Sequence, residues 1–379
     1  MARSCSAIPR WSRKRSGTKS GPAKNAVCLL VLMLGVTVPL QSEPRSSPGD
    51  PFQSNAELRP YNPIDQIVLA HLEKNQVRPA RICSDEVFVR RVYLDVIGTL
   101  PSAVEVRDFL LDASPDKRAR LIDRLLAREE FADYWAMKWS DLLRVKAEFP
   151  INLWPNAAQA YHRWIRTSIK ENKPYDRFAH ELLTSSGSNF REPPVNFYRA
   201  MQNRDPQGIA RTVALTFMGT RAEKWSTNRL AELAAFFSAV GYKATAEWKE
   251  EIVYFDSTKV PVKGEWQLKF PDGTTVRSIG GEDPRRIFAD WLVKSGNPWF
   301  ARAMANRVWF WLIGHGLVHE PDDLRPDNPP VLPELLALLE KEFAASGYDF
   351  KKLCRAILCS QTYQLSAAPA GTTNSLAAP

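Results

Sequence analysis

The sequence predicts a mainly α protein in which two helical modules are joined through a small antiparallel β insert. Three observations carry this. Apolar residues recur at helical spacing over most of the chain after residue 63, helix-start residues accompany them, and one stretch alone, Trp248 to Ile279, switches to short alternating runs. No internal repeat with a period of about 20 to 50 residues interrupts that pattern.

The elements follow in order. Residues 1 to 25 hold Arg3, Arg10, Arg13, Lys14, Arg15, Lys19 and Lys24 without an acid, and Ala26 to Leu40 is apolar. This is the basic-then-apolar order of a secretory signal, and the apolar run falls short of the roughly 20 residues that span a bilayer. Residues 1–42 are therefore expected to be a cleaved signal peptide, leaving an exported chain, periplasmic or extracellular, with no transmembrane anchor. Residues 43–63, rich in Pro, Ser and charge, are expected to be a linker.

The first helical module is expected over 64–247. Ile64, Ile67, Val68 and Leu72 share one helix face, and a second helix from Asp85 turns Val87, Phe88, Val92 and Leu94 inward. Ser102 and Glu105 form a capping box for a helix with Val106, Phe109 and Leu110, and Ser114-Pro115 starts another with Leu121, Leu125 and Leu126. Further helices are expected over Phe131 to Val145, Ala157 to Ile169, Tyr175 to Leu183, Gly208 to Met218 and Arg229 to Val240.

The insert, 248–280, offers Ile252 to Phe255, Val260 to Val262 and Trp266 to Phe270 as strands, with Pro271-Asp272-Gly273 turning the chain into Thr274 to Val276. The second module, 281–366, begins at Asp283-Pro284, an N-cap followed by proline at the first helical position. Helices follow from Asn297-Pro298, over Pro333 to Ala345 with Gly347 closing, and over Asp349 to Ser360; residues 367–379 are expected to be a disordered tail.

Charge and cysteine narrow the function. The chain is formally +9, but the seven basic residues named above belong to the leader, so the mature part is near +2. The remaining Lys and Arg are spread among acids, as in Asp116 to Arg124, which excludes the basic face that nucleic-acid binding needs. After the leader only Cys83, Cys354 and Cys359 remain, an odd number that provides no disulfide framework. Cys354 and Cys359 fall about 140° apart around a helix, so at least one thiol is expected to stay free, buried and inert.

Several long strings identify relatives. Arg90 to Pro101, Leu121 to Leu126, Trp135 to Arg144 and Asn172 to Phe178 resemble the module called planctomycete secreted cytochrome two, domain of unknown function fifteen-forty-nine. Arg285 to Trp311, Gly316 to Pro330 and Ser360 to Ser366 resemble planctomycete secreted domain one, domain of unknown function fifteen-fifty-three. The resemblance implies a secreted, cytochrome-c-associated protein with the two modules in tandem, and this sequence departs from it twice. Relatives carry a Cys-x-x-Cys-His haem-attachment box where Arg221 here runs through Ala222-Glu223-Lys224 into Trp225. Covalent c-type attachment needs those thiols and that histidine, so no haem and no other cofactor is expected. Relatives also continue well past Leu365, so the second module is expected to be truncated.

The remaining chemistry is sparse. His315, His319, Glu320, Asp322 and Asp323 would suit a divalent metal only if they converged, and Gly314 and Gly316 place His315 at a helix end. Asp322, Asp323, Arg325 and Asp327 are read instead as a structural family signature that organises a loop. Among twelve tryptophans, Trp135, Trp139, Trp154, Trp164, Trp299, Trp309 and Trp311 could stack on sugars, although Trp135 and Trp139, one turn apart, fit a core face better. Glu129-Glu130 and Glu250-Glu251 are adjacent rather than facing, unlike the carboxylate pair of a glycosidase. Gly-x-Ser-x-Gly, phosphate-loop and His-Glu-x-x-His motifs are absent. No catalytic residue is assigned. A non-catalytic exported binding or assembly protein without covalent haem is the favoured reading; a polysaccharide-binding or polysaccharide-processing protein, and an electron-transfer partner using haem held by another chain, stay open, with a haem-bearing protein or a polysaccharide as partner.

Overall fold

A computed structural model describes residues 51–148, 151–261 and 264–367; the expected signal peptide, the first part of the expected linker, the tail from residue 368 and Val262 lie outside them. The mainly α class stands, with 55% of the described residues helical and 15 α-helices among them.

The first seven helices are α1 (Pro63–Lys74), α2 (Asp85–Ile97), α3 (Ala103–Leu111), α4 (Lys117–Ala127), α5 (Glu129–Leu142), α6 (Pro155–Lys170) and α7 (Tyr175–Thr184). A two-residue strand β1 (Gly187–Ser188) and a short helix α8 (Asn196–Arg199) lead to α9 (Pro206–Met218) and α10 (Thr227–Ala235). Four strands follow, β2 (Val240–Ala244), β3 (Glu251–Phe255), β4 (Glu265–Lys269) and β5 (Thr275–Ile279). The chain then closes through α11 (Pro284–Val293), α12 (Phe300–Ile313), α13 (Pro333–Ala345), α14 (Phe350–Cys359) and α15 (Gln361–Gln364).

The caps read from the sequence at Ser102 and Asp283 hold, and side chains the sequence reading did not single out cap other helices. Ser84, Ser102, Asp205, Asp283 and Asp349 each accept a first-turn N–H, and Ser102 and Glu105 complete the capping box. Ser114 does not start α4: Ser114 to Asp116 form a turn, closed by the Lys117 N–H on the Ser114 carbonyl at 3.2 Å, and the helix begins at Lys117. Asn297 acts from before α12, its Oδ1 accepting the Trp299 and Phe300 N–H groups at 3.0 and 3.2 Å.

The β region starts earlier than expected. Arg229 to Val240 is not one helix; α10 ends at Ala235 because Val240 to Ala244 pairs with β3, and Gly241 lies under the Tyr254 ring, where a β-carbon would approach to 2.6 Å. The order β1-β3-β2 ties β1, inside the first module, to the insert. Val260 is no strand but follows a helical turn at Ser257–Lys259, capped by Asp256. β4 and β5 form a separate hairpin across Phe270 to Thr274, with Gly273 at φ 89° as the turn requires.

A single hydrophobic core runs through both modules. Trp135 and Trp139 of α5 are 1% and 3% exposed and meet α12 and α14 edge to face, Trp135 lying 5.6 Å from Trp311 and 4.9 Å from Phe350. Tyr175 of α7 stacks on Phe300 at 4.6 Å. Cys83, Cys354 and Cys359 are free and buried, and burial pushes the Cys359 thiol up to about 11. Among the described residues no helix is long and apolar enough to cross a membrane.

The C-terminal segment returns to the first module. Buried Asp65 accepts the Gln361 and Thr362 N–H groups at 2.9 and 2.8 Å and the Thr362 hydroxyl at 2.7 Å. Arg91 donates to the Leu365 carbonyl at 2.9 Å, and the Tyr363 hydroxyl donates to Asp95 at 2.7 Å. Two of the recognised strings, Arg90 to Pro101 and Ser360 to Ser366, are thus halves of one contact.

Candidate functional site

Where α9 ends, the chain makes the turn Gly219 to Trp225, at which the sequence departs from the resemblance. Gly219 caps α9 in the left-handed conformation, φ 58°, and its carbonyl accepts the Leu324 N–H at 2.8 Å. The left-handed φ favours glycine here, and a β-carbon would also crowd Ala303 at 3.0 Å and Leu324 at 3.2 Å, where the two modules cross.

The second-module wall is held by α12. Arg307, 2% exposed, donates to the Thr216 and Leu215 carbonyls at 3.0 and 3.3 Å, capping the open end of α9, and pairs with Asp322. Asn306, fully buried, donates to the Pro321 carbonyl at 3.2 Å and accepts the Val318 N–H at 3.0 Å. Asp323 is buried between Lys224 at 3.2 Å and Arg325 at 3.0 Å. Burial works to raise its pKa, but the two cations outweigh it and hold the carboxyl below its ordinary value. Arg325 also pairs with Asp327, and the Asn328 amide donates to the Asp323 carbonyl at 3.1 Å.

The acids of the signature are therefore engaged in ion pairs that shape a loop. His315 and His319 are exposed, Glu320 lies 3.9 Å from Arg221, and among the described residues no group of three or more His, Cys, Asp or Glu is placed to hold a metal ion. Of the tryptophans considered for stacking, Trp135, Trp139 and Trp309 are core, whereas Trp299 and Trp154 reach grooves.

Between these walls lies a cleft of about 680 Å³. Five cations line it, Arg221, Lys224, Arg229, Arg302 and Arg325, against one lining acid, Asp327. Four of the cations have a carboxylate behind them, Arg302 through Glu340 at 2.9 Å. Arg229 differs. Its guanidinium stacks on Trp225, 4.0 Å from the ring centre, and donates to the Pro271 carbonyl at 3.1 Å, while its buried Nε has no protein partner. Burial holds the Arg229 pKa below its ordinary value, against the opposing pull of the Glu232 carboxylate. It sits in the first turn of α10, behind the Ser226 cap, where no acid answers the positive end of the helix dipole.

This arrangement suits an anion with a flat or apolar ring. It does not suit haem: neither Gly219 to Ser226 nor the lining contains Cys, His, Met or Tyr, so no axial ligand or attachment thiol faces the space. It does not suit hydrolysis either, since the lining holds a single carboxylate and no base beside its one serine, Ser226. Sequence reasoning singled out this turn for what it lacks, not for its cations. The run Arg221-x-x-Lys224-x-x-x-x-Arg229, with Glu223 its only acid, was the available signal, but its partners Arg302 and Arg325 are brought in by the fold.

Residues 63–240 match the family model PSCyt2, a protein of unknown function (DUF1549), and residues 284–378 match PSD1, a protein of unknown function (DUF1553). No curated protein and no solved structure matches the chain. The two matches take in both walls of the cleft, and the chain belongs to the proteins of unknown function that carry a PSCyt2 domain followed by a PSD1 domain.

Proposed function

We propose that this chain is an exported, non-catalytic binding protein that holds an anionic ligand in the cleft between its modules and carries no covalent haem. One observation supports this above the rest: Arg229, stacked on Trp225 with a buried unpartnered Nε, faces a cleft with five cations and no acid–base pair. Acidic saccharides are one class of such ligand: a carboxylate accepts N–H bonds from a guanidinium while the ring packs on an indole. The electron-transfer reading is less well supported, because the cleft offers a borrowed haem no axial ligand.

Calorimetric titration of the full chain with oligogalacturonate tests this. Saturable binding is expected, weakening as salt screens the cations and roughly tenfold weaker in Arg229→Ala, the effect of losing a charge-assisted hydrogen bond. No binding at low salt, or binding unchanged in Arg229→Ala, would refute the assignment. A Soret band surviving denaturation, in protein made in a host competent for cytochrome c maturation, would refute the absence of covalent haem.

A further inference from the structure

Seven described non-glycine residues adopt the left-handed backbone conformation, and four of them, Gln76, Arg144, Asn172 and Tyr348, come just after helix C-termini, where that conformation ends a helix. The other three, Asn152 (φ 54°), Trp154 (φ 68°) and Lys249 (φ 64°), have no such explanation, and all three line one groove of about 470 Å³ beside the β2–β3 hairpin. Such residues persist only where their surroundings impose the conformation, and they cluster at functional sites.

What the strained backbone holds in place is an aromatic pair. The Trp154 and Trp248 rings lie 5.4 Å apart, tilted by 56°, and Lys249 Nζ stands 4.2 Å from the centre of Trp154 and 5.4 Å from that of Trp248. Trp248, 73% exposed, stands beside the groove against its lining residues Trp154 and Lys249, an indole left in solvent where burial would have been favourable. The polar rim is balanced: Arg199 and Arg204 pair with Glu251 at 2.8 and 3.1 Å, Glu250 accepts from Thr245 at 2.8 Å, and Lys249 and Glu247 complete three cations against three acids. This balance sets the groove apart from the cationic cleft, and it suits a neutral ligand with both donors and acceptors.

We propose that Trp248, braced by Trp154 and Lys249, is a stacking platform for a neutral polysaccharide. A sugar ring presents a face of weakly positive C–H groups that packs against the negative face of an indole, and its hydroxyls pair with ammonium, guanidinium and carboxylate groups at the rim. The site is separate from the cleft and does not depend on that reading.

Affinity electrophoresis of the full chain through gels containing hydroxyethylcellulose, xylan or galactomannan, with polygalacturonate as the acidic comparison, tests the proposal. Retardation is expected in at least one neutral gel, reduced roughly tenfold or more by Trp248→Ala, an exposed position whose change leaves the melting curve in place, and unchanged by Arg229→Ala. Retardation in no neutral gel, or retardation that survives Trp248→Ala, would overturn it. So would retardation by polygalacturonate alone with loss in Arg229→Ala, which supports only the cleft. Self-association abolished by Trp248→Ala without any glycan binding would assign the patch to a second copy of this chain and equally overturn it.

Discussion

Arg307 shows how much of this fold depends on single polar side chains. A guanidinium at 2% exposure is tolerated because its donors meet Asp322 and the last carbonyls of α9, groups that would otherwise be unsatisfied at a helix end. Removing the guanidinium leaves the α9 carbonyls and the half-buried Asp322 without their donor, so Arg307→Met is expected to cost roughly 1–3 kcal/mol in urea unfolding. Arg307→Lys should recover only part of that. It keeps the charge, but a point ammonium cannot span the carboxylate and two carbonyls as a planar fork does. If the lysine variant unfolds at the wild-type midpoint, the charge alone matters and the capping of α9 is incidental.

At the scale of the element, α3 makes the cleanest pH prediction. Glu105 accepts the Ser102 backbone N–H and hydroxyl, each at 2.8 Å, and pairs with Arg128; the backbone bond, the largest of these effects, and its companions hold the carboxyl at about 2, against an ordinary 4.5. A depressed folded pKa gives stability that is full above about 4.5 and lost as pH falls through about 2. The stability gap between wild type and Glu105→Gln should therefore narrow between those values and stay constant above them. A gap that widens on acidification would reverse the sign. This capping box was legible in the sequence because all its parts lie within four residues, as were the starts at Asp283 and Asp349. The end of α10 was not: Phe236, Phe237 and Val240 continue the helical period, and only β3, pairing from Val240 to Ala244, stops it. The platform was missed for the same reason. Trp154 and Lys249 are 95 positions apart in the chain, and nothing local indicates that both backbones turn left-handed to meet.

At the scale of the molecule, two sequence modules share one core. α5 packs its tryptophans against α12 and α14, α7 stacks Tyr175 on α12, and Asp65 binds the turn that opens α15. Neither module could expose that surface alone without losing burial worth roughly 1.5–3 kcal/mol for each large side chain. Unfolding is therefore expected to be one cooperative event, with circular dichroism and tryptophan fluorescence coincident in urea. Asp65→Ala provides the sharper form of the test. It removes no apolar surface, yet it leaves the part-buried Gln361 and Thr362 donors of the second module, with the Tyr61 N–H, without their acceptor, at about 1 kcal/mol for each bond lost. Because Asp65 belongs to α1 and the Gln361 and Thr362 donors to α15, the variant should lower the midpoint seen by both probes equally, with an unchanged slope. Two resolved transitions, with only one shifted by the substitution, would mean that the modules fold separately and that the cleft between them is a movable joint rather than a fixed wall.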